Sequence, residues 1–187
     1  TFANTLKYIL MGTSSNFGNM FSMAVASLFL PFLPMAPTQI LLANAMYDVS
    51  QMTVPTDNVD GQELRQPKKW DIALIKKQML FFGPISSIYD FMTFGVMYYF
   101  FSARGSLFQT GWFVESLATQ ILVIFVVRTK IIPFWKSLPS WQVATSSIAM
   151  VLVAAILPYY KLAVFFGITT QPNIFFIILF FITGTYL

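Results

Sequence analysis

Long apolar runs alternate with short links that are polar or proline-bearing. A helix needs roughly 20 mostly apolar residues to cross a bilayer. By that measure the runs predict six helical spans, near residues 6–33, 37–54, 73–101, 112–127, 141–160 and 173–187. Pro31, Pro34 and Pro37 separate the first two spans. Proline ends a helix at or before the preceding residue, so the first two spans are expected to form a hairpin of neighbours. Pro133 and Pro139 bracket the link between the fourth and fifth spans, Pro158 ends the fifth, and Gly167 to Pro172 form the last turn. A polar stretch, about residues 55–77, parts the second span from the third and reads as a solvated connector.

Composition turns these runs into a fold class. The chain is 57% hydrophobic and 10% charged, against about 25% charged in a soluble domain. The excess apolar surface must face lipid, which makes this an all-α membrane protein with the bilayer as its first partner. The net charge of +4 would suggest nucleic acid in a soluble domain. Here the basic residues follow the links instead, so no nucleic-acid partner is expected. With the N-terminus in the cytoplasm, Lys7, Arg65, Lys68, Lys69, Lys76, Lys77, Arg128, Lys130 and Lys136 lie inside, and Arg104 and Lys161 outside. That is the positive-inside bias. Trp70, Trp112 and Trp141 fall at span ends, where interfacial anchors belong. With no Cys and no His, disulfides, thiolate or imidazole metal sites and Ser/His or Cys/His catalysis are excluded. The opening Thr1 and the closing apolar run suggest a piece of a longer protein.

Charge inside a bilayer is costly unless paired or hydrated, so each buried polar residue asks for a reason. Asn44 and Asp48, four apart, share a helix face, and Gln51 continues it. One stripe thus offers a carboxylate and two amide oxygens, which suit a hard divalent cation. On the first span Asn16 and Asn19 form a second stripe beside Ser15, and Gly12 and Gly18 allow close approach of a neighbour. Asp48, Asn44, Asn16 and Asn19 are therefore the candidate metal ligands. Helix packing through hydrogen bonds is the competing account, chiefly for the two asparagines of the first span. Asp90 is expected to pair with a polar residue of a neighbouring helix. Glu115 is expected to be a wet, interfacial carboxylate, and Gln120 lies deeper. With Gln51 and Ser15 these three make a secondary polar pathway. A single carboxylate among amides fits magnesium, which keeps several waters, better than a many-oxygen calcium cage.

Several of these runs resemble the P-type cation pumps. Ser14-Ser15-Asn16-Phe17-Gly18-Asn19 resembles their fifth membrane helix, and Asn44-Ala45-Met46-Tyr47-Asp48 their sixth. Lys68-Lys69-Trp70-Asp71, the run from Gly83 to Asp90 and the run from Gln109 to Glu115 resemble the bacterial magnesium-transporting branch. The resemblance implies a bundle corresponding to the fifth to tenth helices of a P-type ATPase, in a bacterial inner membrane. It implies magnesium as the transported substrate. In related calcium pumps the positions of Asn16, Asn19, Asn44 and Asp48 supply ion-site side chains; the position of Asn19 is Glu there, and the magnesium branch often has Asn where this chain has Ala43. The phosphoacceptor and nucleotide-binding motifs of such pumps are absent from this sequence. No catalytic residue is expected, and ATP would be bound only by the parent's other domains, which are the second expected partner. A secondary transporter or channel fragment without ATP coupling, and a non-transporting scaffold, are the alternatives.

Overall fold

The computed structural model describes residues 2–58, 72–127 and 138–186, and no strand occurs among them. Six principal helices follow in order: α1 (Phe2–Phe29), α2 (Pro37–Gln51), α3 (Ile72–Gly95), α4 (Ser106–Leu122), α5 (Trp141–Ile156) and α6 (Asn173–Tyr186). A π-helical stretch, Val96–Phe100, prolongs α3, and a single turn, Ile124–Val127, prolongs α4. A helix overlaps each expected span, with the fourth beginning at Ser106 rather than near residue 112. Arg65, Lys68, Lys69, Trp70, Arg128, Lys130 and Lys136 lie outside the described residues. Among the described residues, three stretches are long and apolar enough to cross a membrane, Ile75–Phe100, Ser106–Val126 and Trp141–Tyr159; Asn173–Tyr186 is apolar but shorter.

The helices are not equally wrapped. In its most apolar stretch α4 is 78% buried, against 33% for the α3 span and 22% for the α5 span. A helix buried on every side belongs at the centre of a bundle. Packed around α4 are α2, α3, α5 and α6. Its Phe108, Trp112, Phe113, Leu117 and Ile121 fill the core with Phe94, Met97 and Phe175. Phe94 meets Trp112 edge-on at 4.8 Å between centroids, a favoured aromatic geometry. The outer faces of α3 and α5 carry exposed Leu80, Phe81, Ile88, Ile148 and Leu152, as lipid-facing surfaces should.

The expected hairpin of first and second spans is corrected. α1 packs chiefly along α3, while α2 packs on α4 and α5. Their link, residues 30–36, is non-helical. Seven such residues can reach roughly 23 Å, so a proline-rich link permits separation as readily as contact. The close neighbour that Gly18 admits is α3. A Cβ on Gly18 would meet the Gly83 carbonyl oxygen at 3.0 Å, and one on Gly83 would strike the Phe17 ring at 2.5 Å. Ser87 Oγ, one turn beyond Gly83, lies 3.1 Å from both the Gly18 and Gly83 carbonyls. That hydroxyl lends a donor just beyond Pro84, which sits inside α3 and has no N–H.

Hydrogen bonds between links gather at two ends. At one, Asn4 Nδ2 donates to the Pro55 and Asp57 carbonyls at 3.1 and 3.2 Å. There Asp57 Oδ1 accepts from the Ser140 N–H at 3.0 Å, at the start of α5. Asp57, expected in a solvated connector, is only 6% exposed. At the other end Gln39 Nε2 donates to the Gly167 carbonyl, Gln109 Nε2 to Leu33 and Gln171 Nε2 to Leu107. Consecutive helices therefore run up and down between two tied rims.

Candidate functional site

Two groups of polar side chains stand out. The first is the stripe expected to hold metal. Asn44 and Asp48 on α2 and Asn16 on α1 are exposed, and Asn19 is half-buried. No side-chain hydrogen bond or ion pair holds Asn16, Asn44 or Asp48 among the described residues. Because α1 leans on α3 and α2 on α4 and α5, this polar surface is left open. Tyr47 reaches across the gap at this level, its hydroxyl 3.9 Å from where a Gly12 Cβ would stand. Ser15 and Gln51 are buried nearby. Gln51 Nε2 donates to Ser50 Oγ at 3.3 Å, and its Oε1 has no partner.

The second group is buried where α1, α3 and α4 meet. Asp90 is 1% exposed. Its Oδ2 accepts from Ser22 Oγ at 2.5 Å and its Oδ1 from the Trp112 indole at 2.8 Å. The expected pairing of Asp90 with a neighbouring helix is present, and with two helices. Two other expectations are corrected. Glu115 is not wet but 0% exposed, and Trp112 is not an interfacial anchor but also 0% exposed. The reason is where α4 begins. Gly105, at φ 51°, turns the chain so that the helix starts at Ser106. Trp112 and Glu115 then lie two and three turns inside. Trp141, by contrast, is 71% exposed at a helix start, as an anchor should be.

Around the two carboxyls runs a chain of hydroxyls and amides. Gln120 Nε2 donates to Ser116 Oγ at 2.8 Å, which donates to Asn19 Oδ1 at 3.0 Å. Asn19 is thus the one proposed ligand that the fold joins to the buried group. Thr119 Oγ1 turns back to the Glu115 and Ser116 carbonyls of its own helix. Neither Glu115 oxygen receives a hydrogen bond, and neither carboxyl meets a lysine or arginine among the described residues. Burying an ion without a partner costs several kcal/mol. Ser22 and Ser116 escaped the sequence reading. Their signal was the spacing of three between Asn19 and Ser22, and of four between Trp112, Ser116 and Gln120, which puts each set on one helix face. No three acidic side chains converge among the described residues, so there is no carboxylate cage of the calcium kind.

The model of the family described as "Cation transporting ATPase, C-terminus" matches residues 32–187. Over 180 residues the chain is 46% identical to the "Magnesium-transporting ATPase, P-type 1" of Escherichia coli (strain K12), covering 94% of this chain and 20% of that protein. It is 44% identical over 180 residues to a protein of the same name from Salmonella typhimurium (strain LT2), with the same coverage. A more distant match, 28% identical over 113 residues, is "Plasma membrane ATPase 2" of Saccharomyces cerevisiae, covering 57% of this chain and 11% of that one. The chain therefore spans about a fifth of the length of the magnesium-transporting relatives.

Proposed function

The chain belongs to the cation-transporting ATPase C-terminus family, and from that premise we propose that it is part of the membrane half of an ATP-driven magnesium pump. Its six helices would cross a bacterial inner membrane with the N-terminus in the cytoplasm. The two tied rims support that count, because each joins only links that six antiparallel crossings would leave on one side. ATP hydrolysis belongs to other domains of the parent, and this chain contributes ion-binding side chains and their scaffold.

The observation that carries the reading is the open stripe. Asn16, Asn44 and Asp48 present oxygen atoms on the surface of an otherwise apolar bundle, and no group among the described residues satisfies them. A carboxylate at membrane depth is not left against lipid. Its surface must face water, a cation or further protein. A hydrated magnesium ion suits an arrangement of one carboxylate, neutral amides and retained water. Asp48 is assigned the charged ligand, Asn44 and Asn16 neutral ones, and Asn19 the link to the buried cluster. Ser15 and Gln51 continue the polar path on the buried side of α1 and α2, and Gln120 extends it through Ser116.

The test is made in the full-length pump. Asp48→Asn keeps shape and removes the charge. Magnesium-stimulated ATP hydrolysis by the purified variant should fall to background, while expression and membrane insertion stay at the level of the unsubstituted protein. Undiminished stimulation would reject the ligand assignment.

A further inference from the structure

Asp90 and Glu115 are both buried, on α3 and α4. Both oxygens of Asp90 accept hydrogen bonds, from Ser22 and Trp112. Acceptors on both sides are what an ionised carboxylate provides. Glu115 is placed differently. Neither of its oxygens accepts a hydrogen bond, because the neighbouring Thr119 hydroxyl is turned to backbone carbonyls of its own helix, and the other side chain beside it is the Asp90 carboxyl. Two ionised carboxylates in contact have no hydrogen between them and repel each other. The contact becomes a hydrogen bond when one proton lies between the pair, as in the carboxyl pairs that titrate as a unit.

The surroundings narrow what can neutralise the pair. Ser22 comes from α1 and Trp112 from α4, and neither carries charge. Tyr186 of α6 is the further titratable side chain near both carboxyls, and no lysine or arginine reaches them among the described residues. A magnesium ion keeps several waters and needs room for them. The cleft beside α1 and α3 measures only ≈ 10 Å³, about the space of one water. It is lined by Ser14, Ser15, Ser86 and Tyr186 among others, and by neither carboxyl.

We propose that Asp90 and Glu115 are a proton-binding site, in which a protonated Glu115 donates to an Asp90 carboxylate fixed by Ser22 and Trp112, and that this shared proton joins α3 to the central helix α4. The site is separate from the open stripe, and it holds whichever ion the pump carries. Its chemical ligand is a proton, bound between one glutamate oxygen and one aspartate oxygen.

Infrared spectroscopy of the purified full-length protein in lipid nanodiscs, washed with EDTA, tests this directly. A protonated buried carboxyl gives a carbonyl band that an ionised one lacks. The band should be present, should disappear in Glu115→Gln and should persist in Asp48→Asn. Asp90→Asn, which keeps Glu115 and alters only its partner, should shift the band without deleting it; this variant also serves if Glu115→Gln fails to fold. No such band in the unsubstituted protein, or a band that neither substitution changes, would overturn the proposal. So would loss of the band on saturation with magnesium, which would assign the pair to the metal. Failure of the stripe assignment reads out differently: magnesium stimulation would survive Asp48→Asn whatever the band does.

Discussion

Two donors hold Asp90, and each can be removed singly. Trp112→Phe keeps most of the ring in the core and deletes the indole N–H that bonds Asp90 Oδ1 at 2.8 Å. A hydrogen bond to an ionised group contributes about 1.5–3 kcal/mol, and the variant should lose about that much stability in detergent unfolding. Ser22→Ala should lose a similar amount and leave a smaller void. Stability unchanged from the unsubstituted protein in both variants would show that Asp90 is not held by these bonds. The sequence reveals Asp90 as a residue needing partners, because charge within an apolar span demands them. It hides the partners themselves. Trp112 reads as an anchor because residues 106–111, Ser-Leu-Phe-Gln-Thr-Gly, look too polar and glycine-bearing to be helix. Once α4 starts at Ser106, the same tryptophan is two turns deep, and Glu115 moves with it from interface to core. Asp48 and Asn44 were legible as a stripe from their spacing of four. Whether that stripe is enclosed depends on where α1 and α2 lie, which spacing within one helix does not encode.

Helix positions follow from apolar period and proline, so the starts at Pro37, Trp141 and Asn173 agree with the sequence reading. Helix partners do not follow, because a long link leaves its two helices free to choose. α1 selects α3 through small residues. Gly18 and Gly83 bring the two backbones within reach of Ser87, and there is no space for a side chain at the crossing. Gly18→Val should therefore push the helices apart, costing about 1–3 kcal/mol as an overpacked interface does. Gly95→Ala is the internal control. A Cβ at Gly95 meets nothing within 4 Å, and its φ of −59° is ordinary helix. Alanine there should gain about 0.5–1 kcal/mol by restricting the unfolded chain. Thermal unfolding of the two variants in one detergent should move the midpoint in opposite directions. A fall in both would mean that glycine is used at these sites for flexibility rather than close approach.

At the scale of the molecule, side-chain amides do at the rims what apolar packing does in the middle. Links leave backbone carbonyls without helical partners, and near a bilayer these must be satisfied. Gln39, Gln109 and Gln171 meet them at one rim and Asn4 and Asn58 at the other. The Asn4 rim also ties Asn58 Nδ2 to the Leu138 carbonyl at 3.3 Å. A single amide spans the Pro55 and Asp57 carbonyls, and Asp57 passes the connection to the first N–H of the segment that opens α5. If the rims are independent, damage should stay local. Asn4→Leu removes two hydrogen bonds worth about 1 kcal/mol each, and every kcal/mol speeds local opening roughly fivefold. Hydrogen exchange at residues 53–58 and at the start of α5 should rise about 25-fold or less, while residues 36–40 and 165–171 keep their rates. Equal acceleration at both rims would show that the bundle opens as one unit, and that Asn4 sets its global stability rather than one end.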